Sequence, residues 1–409
     1  MSDESSLKQL PPEYWLRVFG DFMTGFGRSM LVPFMLIYLQ QAGGFPLWEV
    51  TLLTAVPQFL QIFSTSWGGV LADHYGRKPV MFFALFGSGM VLCLMLSHAY
   101  MVVYAGYVLF LVVSNFYRPA AFAMVTDVVP AELQRDAFAI LRTTANLGFA
   151  IGPLIGSLLF FSQRALAIGG TAVTYVLTAC TVFWMRETLA LVGATQGPAI
   201  PRLTSVFTRL PNPLAAFSLM REDIRLRWAV LTGIFFMMVQ IQPFTALTVV
   251  VNNEYNDNGR MLAYLFLVNT IGVVIGQYFI TAWTREVKFY NLFTAAILFC
   301  GAGWGTLLLP WGTLRYFLLF ALTTIAEMLM AACYTPYIAT LAKHGQGARY
   351  MSFSQTSNIL GQMIGPTLGA LGYGLGGETG FAVIVWLLLG FTYTCLRTLR
   401  HKELAVRPA

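Results

Sequence analysis

The chain is short of charge. Asp, Glu, Lys and Arg together supply 11% of its 409 residues, against 57% hydrophobic residues and a mean hydropathy of +0.67. A soluble domain is about half apolar and about a quarter charged, so this composition excludes a water-soluble globule and puts the chain in a lipid bilayer. Paired cysteines are lacking too: Cys93, Cys180, Cys300, Cys333 and Cys395 all fall in apolar segments, with no CxxC and no His at ligand spacing. That excludes a disulfide framework and a zinc site, and the five read as reduced packing residues. His74, His98, His344 and His401 lie at loops or ends, away from any buried catalytic site. No Walker motif, HExxH or G-x-S-x-G occurs; "GYGLGG" at 372–377 fits G-x-G-x-x-G but follows a membrane helix, not a strand. An enzyme is excluded on these grounds, and no metal or cofactor is expected. The polar start "MSDESSLKQLPPEYW" has neither the basic region nor the apolar core of a cleavable signal, so the first apolar helix is expected to stay.

What is present is a series of apolar runs. A spanning helix needs about 20 mostly apolar residues, and twelve such stretches can be laid down, over 14–40, 47–72, 79–97, 99–126, 137–161, 166–185, 228–251, 259–283, 290–309, 313–341, 350–374 and 380–397. The net charge of +7 does not point to nucleic acid, because the basic residues punctuate the apolar runs instead of clustering on one face. They read as topology signals. With the N-terminus inside, nineteen Lys and Arg fall on the cytoplasmic side, among them Arg17, Arg77 and Lys78, and only Arg164, Arg260 and Arg315 fall outside. Both termini are therefore expected in the cytoplasm.

The stretches divide into two sets of six. Residues 1–186 form an N-terminal bundle, 187–227 a Pro-containing cytoplasmic linker too poor in core residues to be a domain, and 228–409 a C-terminal bundle with a short tail. The halves repeat each other: "GFAIGPLIG" (148–156, fifth stretch) and "GQMIGPTLG" (361–369, eleventh) share G-x-x-I-G-P-x-x-G at a spacing of 213 residues. "RPAAFA" at 118 and "TPYIAT" at 335 place Pro119 and Pro336 on the fourth and tenth, 217 apart. Duplicated halves are a building plan of transporters, with the substrate site between repeats.

The loop "GGVLADHYGRKPV" (68–80) reads G-x-L-x-D-x-x-G-R-K through Gly69, Leu71, Asp73, Gly76, Arg77 and Lys78, and it resembles the signature loop of the major facilitator superfamily. Gly148, Gly152, Pro153 and Gly156 resemble the glycine-proline motif of that superfamily's twelve-helix drug:proton antiporters, with Gly361, Gly365, Pro366 and Gly369 as the second copy. The resemblance implies an all-α integral membrane fold of two pseudo-symmetric six-helix bundles, in a bacterial inner membrane. It also implies a conformational latch in which Asp73 faces a helix N-terminus and Arg77 reaches Asp127 ("AMVTDVVP"). The second-half loop "AWTREVKFYN" keeps Arg285 and Lys288 without a matching Asp, so the latch is one-sided. The glycine faces are expected to pack the fifth helix on the eighth and the eleventh on the second.

Charges inside membrane helices cost about 2.5–3.5 kcal/mol each and point to function. Here they are Asp21, Arg28, Arg118, Arg142 and Glu327. Asp21, Thr24 and Arg28 share one helix face, Asn115 and Arg118 another, and Arg142 and Asn146 a third. Glu327 sits about 14 residues into its stretch, near the bilayer middle, with no Lys or Arg within a turn in sequence. Burial favours its neutral form, which makes it the first candidate for proton coupling and Asp21 the second. Arg28, Asn115, Arg118, Arg142, Gln240 and Tyr334 are the substrate-cavity candidates; Gln58, Gln61, Gln242 and Asn269 are further polar residues, for which helix-to-helix hydrogen bonding is the competing role. The family's basic residue early in the fourth helix is replaced by Tyr107. Two readings stay open: a monomeric, proton-driven exporter of amphipathic small molecules, and a transporter of an anionic metabolite, metallophore or lipid-linked compound bound by the arginines.

Overall fold

The computed structural model describes residues 10–160, 162–188, 220–256, 259–284, 286–341 and 347–406. Most of the linker read from the sequence, residues 189–219, lies outside the described residues, as does Arg285. Among the described residues there is no strand, as the bilayer requires of a chain whose backbone groups must find their partners within each segment.

The first six spans are α1 (Pro12–Gly43), α2 (Leu47–Tyr75), α3 (Arg77–Val91), α4 (Tyr100–Ser114) with α5 (Tyr117–Val128), α6 (Ala131–Phe160) and α7 (Arg164–Phe183). The second set is α8 (Ile224–Gln240) with α9 (Ala246–Tyr255), α10 (Arg260–Trp283), α11 (Phe289–Gly305), α12 (Leu314–Leu341) and α13 (Gly347–Val406). Among the described residues, ten helical stretches are long and apolar enough to cross a membrane. The 29-residue α2 also has the length of a span, and α13 holds two spans separated by a kink at Gly376 and Gly377, which is consistent with twelve. Local chemistry sets the ends. Pro12 opens α1 where its missing N–H costs nothing, and Gly44 (φ 65°) follows its last residue in the left-handed region.

The chain forms two compact units, one of residues 1–43, 56–211 and 258–260, the other of residues 44–55, 212–257 and 261–409. In the first, α1 runs along α6 and α7, while α3 packs on α4, α5 and α7. In the second, α8 runs along the first part of α13, and α11 along α12. First-on-fifth in one unit is thus repeated as seventh-on-eleventh in the other.

The glycine faces make these pairings possible. A Cβ added at Gly148 would lie 2.8 Å from the Phe26 amide nitrogen, one at Gly152 would lie 2.6 Å from the Phe26 carbonyl oxygen, and one at Gly156 would lie 2.6 Å from Phe34 Cε2. At Gly361 and Gly365 the nearest backbone atoms include the Met237 carbonyl carbon at 2.9 Å and the Met238 carbonyl oxygen at 2.6 Å, and at Gly369 the Phe381 Cε2 stands at 2.6 Å. Within each unit these faces are covered by α1 in the first and, in the second, by α8 together with Gln242 of the turn after it and Phe381. A glycine stripe reports how close a neighbour comes and not which neighbour it is.

Tyrosines pin the same two pairs near their starts. Tyr14 Oη donates to the Ala137 carbonyl at 3.0 Å, and Tyr350 Oη donates at 2.9 Å to Asp223 Oδ2, whose Oδ1 caps α8 through the Arg225 and Leu226 amides. At the other end of the second unit, Arg315 clamps three segments. Its Nη2 meets Glu254 Oε1 at 2.9 Å and its Nη1 meets Glu378 Oε2 at 2.7 Å, while Tyr316 Oη donates to Glu378 Oε1 at 2.9 Å.

Gly152→Ala is expected to lose about 1–3 kcal/mol, because besides the Ser29 hydroxyl the opposing atoms, the Phe26 carbonyl oxygen and the Met30 amide nitrogen, belong to the α1 backbone and cannot step aside. Gly169→Ala, whose added Cβ meets nothing within 4 Å, should be neutral or slightly stabilising. Thermal unfolding midpoints of the two variants in detergent check the difference.

Candidate functional site

The signature loop builds a compact polar cluster inside the first unit. Gly76 joins α2 to α3 at φ 103°, a conformation that disfavours a side chain, and a Cβ there would stand 2.8 Å from Glu187 Cδ. No side chain of the loop caps α3. Glu187, just beyond α7, supplies the acceptors instead: the Arg77 amide donates to its Oε1 at 2.9 Å and the Lys78 amide to its Oε2 at 3.0 Å. A carboxylate on a helix N-terminus satisfies two orphan donors and meets the positive end of the dipole. Asp73, expected at that helix end, bonds the Arg77 guanidinium instead and is 69% exposed. Arg77 Nε lies 3.4 Å from Asp127 Oδ2, with both side chains largely buried, and Thr188 Oγ1 donates to the same oxygen at 2.8 Å. Lys78 Nζ donates to the Phe183 carbonyl at 2.9 Å. Gly69 gives α2 room beside Pro119 of α5, whose Cβ would be 3.9 Å from an added Cβ.

Glu187 and Thr188 escaped the sequence reading because they fall where the linker begins. The available signal was that a helix starting Gly-Arg-Lys without an Asp, Ser or Thr cap must find its acceptor elsewhere. In the second unit, Tyr290 occupies the position 213 residues after Arg77 (290 − 77). It donates to Glu403 Oε2 at 2.5 Å and lies 3.2 Å from Tyr337 Oη.

The intramembrane residues sort into two groups. Some hold helices together. Asp21 is ion-paired with Arg17, which also donates to Tyr117 Oη at 2.8 Å and lies 4.7 Å over its ring. Arg17, read from the sequence as a topology signal, is thus a buried partner. Asn115 fills the break between α4 and α5 and donates to the Gln61 carbonyl at 3.0 Å and to Thr65 Oγ1. Tyr334 is buried against Gly233, with its Oη 2.8 Å from Ser357 Oγ. Gln242 donates to the Met238 carbonyl at 3.0 Å and to the Gly365 carbonyl, across the α8 and α13 contact.

The other group faces open space or a recess. Arg28 Nη2 lies 3.5 Å from Gln61 Oε1, Arg118 is exposed with its Cζ 5.8 Å from the Phe122 ring centre, and Arg142 is exposed. In the second unit, Glu327 is half-buried in the middle of α12, and its Oε2 accepts from Asn269 Nδ2 at 3.0 Å. Asn269 also donates to Thr324 Oγ1 at 2.9 Å. Glu327 lines a narrow recess with Gln240, Pro243, Phe244, Asn269, Phe320 and Thr323. The recess lies where the seventh span is interrupted: α8 ends at Gln240, a tight turn runs over Gln242–Phe244, and α9 begins at Ala246. A broken helix beside a mid-membrane carboxylate is the arrangement in which transporters bind coupling ions.

Comparison with known proteins follows this geometry. The family profile described as Major Facilitator Superfamily matches residues 18–366. The Na(+), Li(+), K(+)/H(+) antiporter of Planococcus maritimus is 25% identical over 379 residues, covering 86% of this chain and 87% of that one. The multidrug resistance protein MdtG of Rahnella sp. (strain Y9602) is 26% identical over 415 residues, covering 94% and 93%. Among solved structures, a peptide transporter POT in complex with sulfate superposes with a TM-score of 0.77 at 18% identity, covering 96% of this chain and 95% of that one. The human organic anion transporter MFSD10 (TETRAN) superposes with a TM-score of 0.67 at 19% identity, covering 94% and 100%. At those identities the structures speak to the fold alone.

Glu187→Ala should cost about 1–3 kcal/mol by orphaning two amides of α3, and Glu187→Gln, which keeps one carbonyl acceptor, should cost less. Unfolding midpoints of the purified variants test the order.

Proposed function

The chain belongs to the major facilitator superfamily and is a membrane transporter, not an enzyme; from that premise we propose that it is a proton-coupled exporter of amphipathic small molecules working by alternating access. The observation that carries this reading is Glu327, a half-buried carboxylate held by Asn269 in a recess at the interruption of the seventh span. Protonation would neutralise it and deprotonation would restore a charge that the recess must solvate, so the two protonation states favour different conformations of the helices around it. Asp21, already engaged by Arg17, is the weaker candidate. The relatives named as a multidrug resistance protein and a cation/proton antiporter support export and proton coupling. In this reading the protein is a monomer in a bacterial inner membrane, with both termini cytoplasmic and the proton gradient as its only energy source. The Arg77, Asp127 and Glu187 cluster would act as a latch at the cytoplasmic end, made when that face is closed and broken when it opens.

A second reading, transport of an anionic metabolite, metallophore or lipid-linked compound, is favoured by one observation. Among the described residues, no carboxylate is ion-paired with Arg28, Arg118 or Arg142.

The test is transport into energised everted vesicles against a panel of lipophilic cations and anionic metabolites, comparing wild type with Glu327→Gln. Proton-driven accumulation should fall about tenfold or more in the variant, at unchanged protein level in the membrane. Undiminished accumulation would overturn Glu327 as the coupling acid.

A further inference from the structure

Three guanidinium groups gather in the first unit, and they differ in how they are compensated. Arg17 has Asp21 and the Tyr117 hydroxyl. Among the described residues, the hydrogen-bonding neighbour of Arg28 is the neutral Gln61 amide, at the long distance of 3.5 Å. Arg118 is exposed, and among the described residues its guanidinium has the Phe122 ring on its flank. Arg118 lies within the electrostatic reach of both Arg28 and Arg17, so like charges are held close together in a segment where each is already costly. The groups that α4 and α7 bring within reach of Arg28 are Tyr107 and Tyr175, which are buried phenols and not acids. From α1 itself comes Asp21, and its charge is taken by Arg17.

The surroundings of Arg28 are built, not incidental. Gln61 Nε2 donates to the Pro57 carbonyl at 3.3 Å and to Gln58 Oε1 at 3.1 Å, which turns its Oε1 toward Arg28. The Gln61 carbonyl accepts from Asn115, which ties this turn of α2 to the α4 and α5 break, three residues before Arg118. A network that fixes a neutral acceptor on an arginine, where a carboxylate of nearly the same shape would have ended the charge imbalance, leaves the guanidinium fork available to another partner. Forks of this kind match carboxylate and phosphate oxygens two at a time.

We propose that Arg28, positioned by Gln61, and Arg118 form an anion-binding site in the first unit, and that the transported molecule presents a carboxylate or phosphate to it. This deepens the transporter reading and rests on it for the word transported, but the binding itself does not depend on proton coupling. The cargo class it defines is an amphipath with an anionic head. Tyr107 and Tyr175 border the site as uncharged phenols, and Asn115 has a positioning role.

The test uses the full-length protein in detergent, without a proton gradient, and three probes with one tail: hexanoate, hexyl phosphate and hexyltrimethylammonium. The two anions should bind and raise the unfolding midpoint, and the quaternary ammonium should neither bind nor compete. Arg118→Gln should weaken anion affinity about tenfold or more. Gln61→Glu retains both arginines and nearly the same shape but sets a carboxylate against Arg28, and it should weaken anion affinity to a similar degree with an unchanged gel-filtration profile. Equal binding of all three head groups, no binding of either anion at millimolar concentration, or wild-type anion affinity in Gln61→Glu would overturn the site. Because the measurement is made at equilibrium, loss of coupling in Glu327→Gln leaves it intact. Conversely, absence of anion binding at equilibrium leaves the effect of Glu327→Gln on gradient-driven transport to be read on its own, so the two proposals fail separately.

Discussion

Inside a bilayer there is no water to stand in for a missing partner, and everything distinctive about this chain follows from that constraint. Backbone groups are absorbed by helices. Side-chain amides and hydroxyls are absorbed by neighbouring helices, as Asn115 is by α2, Gln242 by α13 and Tyr334 by Ser357. Charges are the hardest to absorb, and the fold meets them in three ways. Most lie at helix ends. Some are paired at close range, Arg17 with Asp21 and Arg77 with Asp73 and Asp127. A remainder, Arg28, Arg118 and Arg142, has no carboxylate partner among the described residues.

Lipid also removes the hydrophobic drive that presses soluble helices together, so contact must come from close packing. The two units answer this alike: a glycine stripe lets the backbone of the first span approach the fifth, and the backbone of the seventh approach the eleventh. Their charged features do not repeat. Where the first unit closes its basic end with Arg77, Asp127 and Glu187, the second uses Tyr290, Tyr337 and Glu403. The two units thus share their packing while the side-chain chemistry of these clusters differs.

Hydropathy was enough to read the class of fold, because apolar runs of about 20 residues have few alternatives in a bilayer. Partners were harder to read. A glycine face announces a close neighbour without naming it, which is why the α1 and α8 contacts came only from the structure. Arg17 looked like one more basic residue near a terminus, although Asp21 stands four residues on at ion-pair spacing. Glu187 was hidden because its role depends on two helix ends meeting in space. Glu327 was visible as an isolated mid-span acid, whereas the recess around it depends on the interruption at Gln242–Phe244, and Pro243 was the only local sign of that break.

The central claim is that substrate movement and proton movement are coupled in this protein. It is tested most directly by purifying the chain into sealed liposomes with a pH indicator trapped inside and imposing a substrate gradient at equal pH on both sides. The account predicts that substrate leaving the lumen drives protons in, acidifying the interior at a rate that follows substrate flux. Substrate flux with no change in internal pH would contradict it.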